Sequence, residues 1–104
     1  MRRAARVDAN QQEIVTCLRL VGYSVALTHM VSDGFPDAVL GRYGKTWLAE
    51  FKRDEKARYT PDQLAWRENW QGEPPLRFNS AGEAMAWAAE QERLYGPNAK
   101  QKQA

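Results

Sequence analysis

Gly34-Phe35-Pro36-Asp37-Ala38-Val39-Leu40-Gly41 and Thr46-Trp47-Leu48-Ala49-Glu50-Phe51-Lys52, separated by Arg42-Tyr43-Gly44-Lys45, are the segments that decide how this chain is read. Each is a short apolar run bounded by turn residues, the pattern of a strand. Antiparallel pairing places the start of the first beside the end of the second, so Asp37 and Glu50 are expected to be neighbours. Side chains alternate along a strand, so Glu50 and Lys52 share one face and Phe51 takes the other. Two carboxylates and an ammonium then converge at the edge of a core. Like charges this close are unfavourable unless something positive offsets them. A hard divalent cation with oxygen ligands is the natural partner.

Outward from this hairpin the chain alternates helix and strand signals. Upstream, Asp8-Ala9-Asn10-Gln11 has the form of a capping box, which predicts a helix from about Ala9. Ile14, Cys17, Leu18 and Val21 recur at helical spacing as its buried stripe, and Gly22 ends it. Ser24 to Thr28 is strand-like and leads into a polar loop, His29 to Phe35. Downstream, Thr60-Pro61-Asp62-Gln63 predicts a second helix, with Thr as N-cap, Pro at the first helical position and Gln at the third. It runs to about Trp70, and Gly72 stops it. Pro74-Pro75 enforces an extended connection to a short strand, Leu76-Arg77-Phe78. Ser80 caps a third helix over residues 81–93, and Gly96-Pro97 closes it. The expected order is α-β-β-β-α-β-α, a mixed sheet flanked by helices.

The chain has 104 residues, 43% hydrophobic and 27% charged, with a net charge of +2. That length bounds a single small domain, read as residues 8–93. Residues 1–7 are expected to form a basic arm and residues 94–104 a flexible tail. The mild positive charge permits a polyanionic partner without requiring one. The single Cys17 excludes an intramolecular disulfide and a cysteine zinc site, and the lone His29 argues against a histidine-rich metal centre. No apolar run reaches membrane-spanning length. Met1-Arg2-Arg3-Ala4-Ala5-Arg6 lacks the apolar core of a secretion signal, so a cytoplasmic location is expected.

Pro36-Asp37 followed by Glu50-Phe51-Lys52 resembles the PD-(D/E)XK nuclease signature: Pro-Asp, a gap, then an acid, any residue and Lys. Over residues 8–90 the chain is similar to the small virus-type replication-repair nuclease domain (VRR-NUC), which is related to Holliday junction resolvases. The resemblance implies a restriction-endonuclease-like core and a metal-dependent endonuclease hydrolysing DNA, selective for branched or junction DNA. It implies a phage or prophage origin. Asp37 and Glu50 would hold magnesium, with manganese as substitute, and the Phe51 carbonyl would help. Lys52 would orient or deprotonate the attacking water.

Further residues follow from the same likeness. The family carries an acid on the first helix that reaches the metal, and Glu13 fits that place. Without the family, Glu13 reads as a solvated acid favoured by the helix dipole. The related nucleases carry a Gln on the second helix near the site, and Gln63 matches it, although its capping-box role competes. Arg53, Lys56, Arg58 and Tyr59 are expected to line a DNA channel, with Asp54 and Glu55 diluting its charge. Arg2, Arg3 and Arg6 would add nonspecific phosphate contacts. The four tryptophans read as core residues before they read as base-stacking platforms. A homodimer is expected from the small size and the need to cut two strands. The alternative function is an inactive nucleic-acid-binding module of the same fold.

Overall fold

The hairpin at the centre of the chain pairs Ala38–Arg42 (β2) with Lys45–Phe51 (β3), antiparallel, in the register Ala38↔Ala49 to Arg42↔Lys45. The turn is two residues long. Tyr43 and Gly44 both have positive φ, 57° and 74°, as the tight hairpin turn that matches strand twist requires. In this computed structural model, residues 2–28 and 30–97 are described, with side chains from residue 10 onward; His29 and residues 98–104 of the expected 94–104 tail lie outside the described residues, and Leu94 and Tyr95, expected in that tail, instead continue the last helix.

Ser24–Leu27 (β1) pairs antiparallel with β2, and Leu76–Phe78 (β4) pairs parallel with β3, so the sheet order is β1-β2-β3-β4. A parallel neighbour needs a crossover, and Pro61–Asn69 (α2) supplies it between β3 and β4. Arg2–Leu20 (α1) and Ala81–Tyr95 (α3) pack on each other and on the sheet. The protein is therefore a small α/β domain with three helices and a four-stranded mixed sheet, in the expected element order.

The core lies between α1, α3 and one face of the sheet. It holds Ile14, Val15 and Leu18 from α1, Val25, Leu40, Ala49, Phe51 and Phe78 from the strands, and Ala84 and Ala88 from α3. Tyr23, Trp47, Trp87 and Phe78 form an aromatic cluster there, with ring centroids 5.0 to 6.0 Å apart. Trp47 and Trp87 are thus partly buried and pack against the core, short of the full burial expected.

Two expectations about α1 are corrected. The helix begins at Arg2 and not near Ala9. Residues 2–7 contain Ala and Arg and no Gly or Pro, so nothing breaks the helix there, and the Asp8-to-Gln11 pattern falls inside it. The side chains of Arg2, Arg3 and Arg6 lie outside the described residues. The buried stripe is Ile14, Val15 and Leu18; Cys17 is only partly buried and Val21 is exposed. The helix stops one residue before Val21, and Gly22 at φ 106° turns the chain away toward β1.

Candidate functional site

β2 and β3 bring their charged ends together as the strand register requires. Extending the ladder past Ala38↔Ala49 sets Asp37 opposite Glu50. Asp37 Oδ2 accepts a 2.7 Å hydrogen bond from the Phe51 backbone N–H. Asp37 is also anchored through its own carbonyl, which accepts from the Thr28 N–H at 2.8 Å. The preceding Pro36 is buried and its carbonyl accepts from Thr28 Oγ1 at 2.7 Å. The Pro-Asp pair is therefore held on both sides, at the point where β1 and β2 meet.

Glu50 is 1% exposed, the sole charged residue buried to that degree among the described residues. Burial raises its carboxyl pKa, and the nearby Asp37 carboxylate raises it further; Lys52 and Arg67 oppose the shift, and the net result is about 8. A buried acid facing a second acid holds a proton at neutral pH unless a cation displaces it. Lys52 is shifted the other way. Desolvation lowers its pKa, against the opposing pull of Glu50 and Asp37, and Arg77 and Arg67 add repulsion.

Gln63 ties the acid to the base. Its Nε2 donates to Glu50 Oε2 at 2.6 Å, and its Oε1 accepts from Lys52 Nζ at 2.7 Å. The same Oε1 accepts from the Thr60 N–H at 2.9 Å, and the Gln63 N–H donates to Thr60 Oγ1 at 3.1 Å. The cap bonds and the bonds to Glu50 and Lys52, read from sequence as only partly compatible, are made together, because a carbonyl oxygen has two lone pairs. Gly34 sets the distance between the two parts of the site. At φ 84°, a Cβ there would sit 2.3 Å from the Asp62 carbonyl, so only glycine lets the loop before Asp37 approach the start of α2 so closely.

Asp37, Glu50, Phe51, Lys52, Arg53, Ala57, Arg58 and Gln63 line one cleft of about 310 Å³. Asp37, Glu50, Phe51, Lys52, Arg53 and Arg58, six expected positions, are therefore brought together there with Gln63. Phe51 reaches Asp37 through its N–H. Arg53 and Arg58 stand exposed at the rim, and the Arg58 carbonyl accepts from Lys52 Nζ at 3.4 Å. Lys56 is exposed on the far side of its loop, in a depression shared with Asn79 and Glu83. Glu13 is exposed on α1 and lines a different depression with Gln11, Thr16 and Leu27. Among the described side chains of α1, Asn10 reaches this region: its Nδ2 donates to the Lys52 carbonyl at 2.7 Å. It lies four residues before Ile14, on the core-facing side of the helix, and that spacing was its sequence signal.

Asp54, which looked from sequence like a diluting charge, builds the loop. Its Oδ1 accepts from the N–H groups of Lys56 and Ala57, both at 2.9 Å, in an Asx-type turn. Arg77 then locks that loop from β4. Its Nη2 donates to the carbonyls of Asp54 at 3.1 Å, Glu55 at 3.4 Å and Ala57 at 2.7 Å, and its Nε to Asn79 Oδ1 at 2.7 Å. Arg67, one helical turn after Gln63, donates to the Pro75 carbonyl at 3.2 Å. Neither arginine stood out in the sequence. Spacing from Gln63 could have flagged Arg67; Arg77 becomes the neighbour of Glu50 only through the parallel β3–β4 pairing.

The remaining tryptophans sit apart from this cleft's lining. Trp66 and Trp70 stack at 4.8 Å and 18°, with Phe35 edge-on to Trp66 at 5.3 Å. Trp70 is 42% exposed, so this pair is a surface feature and not core.

A divalent cation fits the donor set on chemical grounds. Asp37 and Glu50 offer two oxygen-bearing acids on adjacent strands, and the like-charge conflict between them is what a cation relieves. Among the described residues, no group of three or more His, Cys, Asp and Glu side chains clusters as a larger metal cage. In comparisons with known proteins, no family model, no curated protein and no solved structure matches this chain. No described helix is long and apolar enough to cross a membrane.

Proposed function

We propose that this protein is a metal-dependent endonuclease that hydrolyses DNA phosphodiesters on a restriction-endonuclease-like core. The observation that carries the reading is the junction of Asp37, buried Glu50, Lys52 and Gln63 at one end of β2 and β3. Asp37 and Glu50 would hold magnesium, or manganese in its place. When bound, such an ion polarises the phosphodiester and lowers the pKa of a bound water.

The chain's own groups account for the rest. With a cation bound, Glu50 would release to solvent the proton that burial and Asp37 hold on it, leaving its carboxylate available. Gln63 fixes the Lys52 ammonium at 2.7 Å from its own oxygen, so the charge stands beside the carboxylates without being a ligand. There it is placed to offset negative charge as it accumulates on the phosphate. Arg53 and Arg58 at the rim would take flanking phosphates, which position the substrate and do not read sequence. Selectivity for branched DNA, and a second copy of the chain to cut the second strand, rest on the family likeness and belong to the proposal.

The test pairs calorimetry of magnesium binding with single-turnover cleavage of junction, flap and duplex DNA. Asp37→Ala and Glu50→Ala should lose metal binding and cutting while remaining folded. Lys52→Ala should keep metal binding, bind DNA almost as well, and cut roughly 100-fold more slowly, the scale of a lost transition-state contact. Wild-type protein that binds DNA and never cuts it would make this a binding module. Cutting by Lys52→Ala at the wild-type rate would remove the lysine from the chemistry.

A further inference from the structure

Tyr59 has three cations over its ring: Arg67 Cζ at 4.5 Å, Arg77 Cζ at 5.1 Å and Lys52 Nζ at 5.2 Å from the centroid. They come from α2, β4 and the end of β3. Both arginines are tied down elsewhere, Arg77 by the carbonyls of the 54–57 loop and Arg67 by the Pro75 carbonyl. They hold the half-buried ring in place. Lys52 is the member of the trio with a long flexible stem and work to do at the carboxylates. Three positive groups this close repel one another, and the negative face of an aromatic ring offsets that repulsion.

We infer that Tyr59 is a positioning residue, whose ring face holds the Lys52 ammonium against Gln63 and toward the Asp37–Glu50 pair. This rests on the nuclease reading for its consequence in turnover, but the placement itself is a property of the protein alone. The phenol hydroxyl has no part in the contact; the π face does. Leucine at this position fills similar space without a quadrupole, whereas phenylalanine keeps it. Tyr59→Leu should therefore loosen the lysine, which keeps its bonds to Gln63 and the Arg58 carbonyl but samples rotamers away from the site more often, at an entropic advantage.

Two measurements decide the matter. In single-turnover cleavage at saturating enzyme, Tyr59→Phe should match the wild type. Tyr59→Leu should cut roughly three- to thirtyfold more slowly, the fold-change that corresponds to a partly desolvated cation–π contact, with unchanged KM and magnesium affinity. In NMR of isotope-labelled protein without DNA, the Lys52 Hε resonances should carry an upfield ring-current shift in the wild type and Tyr59→Phe, and lose it in Tyr59→Leu. Wild-type cleavage by a folded Tyr59→Leu, or equal losses in the Phe and Leu variants, would overturn the inference. So would an unshifted Lys52 in the wild type, a result that stands even if Tyr59→Leu fails to fold. If the wild type shows the shift but cuts no DNA, the nuclease reading fails and the placement of Lys52 survives.

Discussion

The two faces of the sheet are built by different physics. On one, α1 and α3 bury Ile14, Val15, Leu18, Ala84 and Ala88 against Leu40, Ala49, Phe51 and Phe78. On the other, α2 has no buried residue at all. It is held by directed contacts: the Thr60–Gln63 cap, the bonds from Gln63 to Glu50 and Lys52, Arg67 against Tyr59, and Trp66 against Phe35. Apolar burial is strong but non-directional. Hydrogen bonds and cation–π contacts are individually weak but fix angles and distances. The domain stores its stability on the first face and spends precision on the second, where the candidate chemistry lies.

The largest effect expected from breaking this contrast is on the apolar face. Leu40 is fully buried in the middle of β2, and Leu40→Ala should cost about 2–5 kcal/mol through lost transfer energy and a cavity. Urea unfolding should show a lowered midpoint with an unchanged slope. An equally large loss from a substitution confined to α2, such as Leu64→Ala at a residue 55% exposed, would erase the distinction between the faces.

The second test uses pH on the polar face. Glu50 binds its proton more tightly in the folded chain, with a pKa raised from 4.5 to about 8. Between those values the native state holds a proton that the unfolded chain has released. Stability of the metal-free protein, as far as Glu50 governs it, is therefore full below about 4.5 and falls as pH rises toward about 8. Thermal unfolding from pH 5 to 8 should show this decline in the wild type and a flatter profile in Glu50→Gln. Saturating magnesium should remove the decline, because a bound cation favours the ionised carboxylate. A wild-type profile as flat as that of Glu50→Gln would show that burial of this acid carries no conflict.

The smallest expected effect is at the cap. Thr60→Ala removes the acceptor of the Gln63 N–H and should cost about 1 kcal/mol. Because Gln63 also holds Lys52 and Glu50, the loss should appear mainly in hydrogen exchange of α2 and in cleavage rate, and little in the exchange of β2 and β3. Uniform loosening of all three elements would mean that α2 is part of the apolar core's cooperative unit after all.

The sequence by itself determined the elements whose signals are local. The β2–β3 hairpin follows from two apolar runs around Tyr43-Gly44, and its register makes Asp37 and Glu50 neighbours. The starts of α2 and α3 follow from Thr60-Pro61 and Ser80, because an N-cap acts within one turn of helix. Tertiary structure alone decided the rest. Nothing near residue 77 announces that β4 runs parallel to β3 and sets Arg77 beside Glu50, since that pairing depends on the path of a crossover. Glu13 and Asn10 are three residues apart on one helix. Which of them turns toward the site depends on how α1 rolls to bury Ile14, Val15 and Leu18, and that roll brings Asn10 to the Lys52 carbonyl and leaves Glu13 in solvent. Likewise, Tyr59 meets three cations only because α2, β3 and β4 converge on one loop. Caps and hairpins are contacts between near neighbours in the chain, and residue identity suffices for them. The surroundings of a charged side chain are made by distant segments, and only packing brings those together.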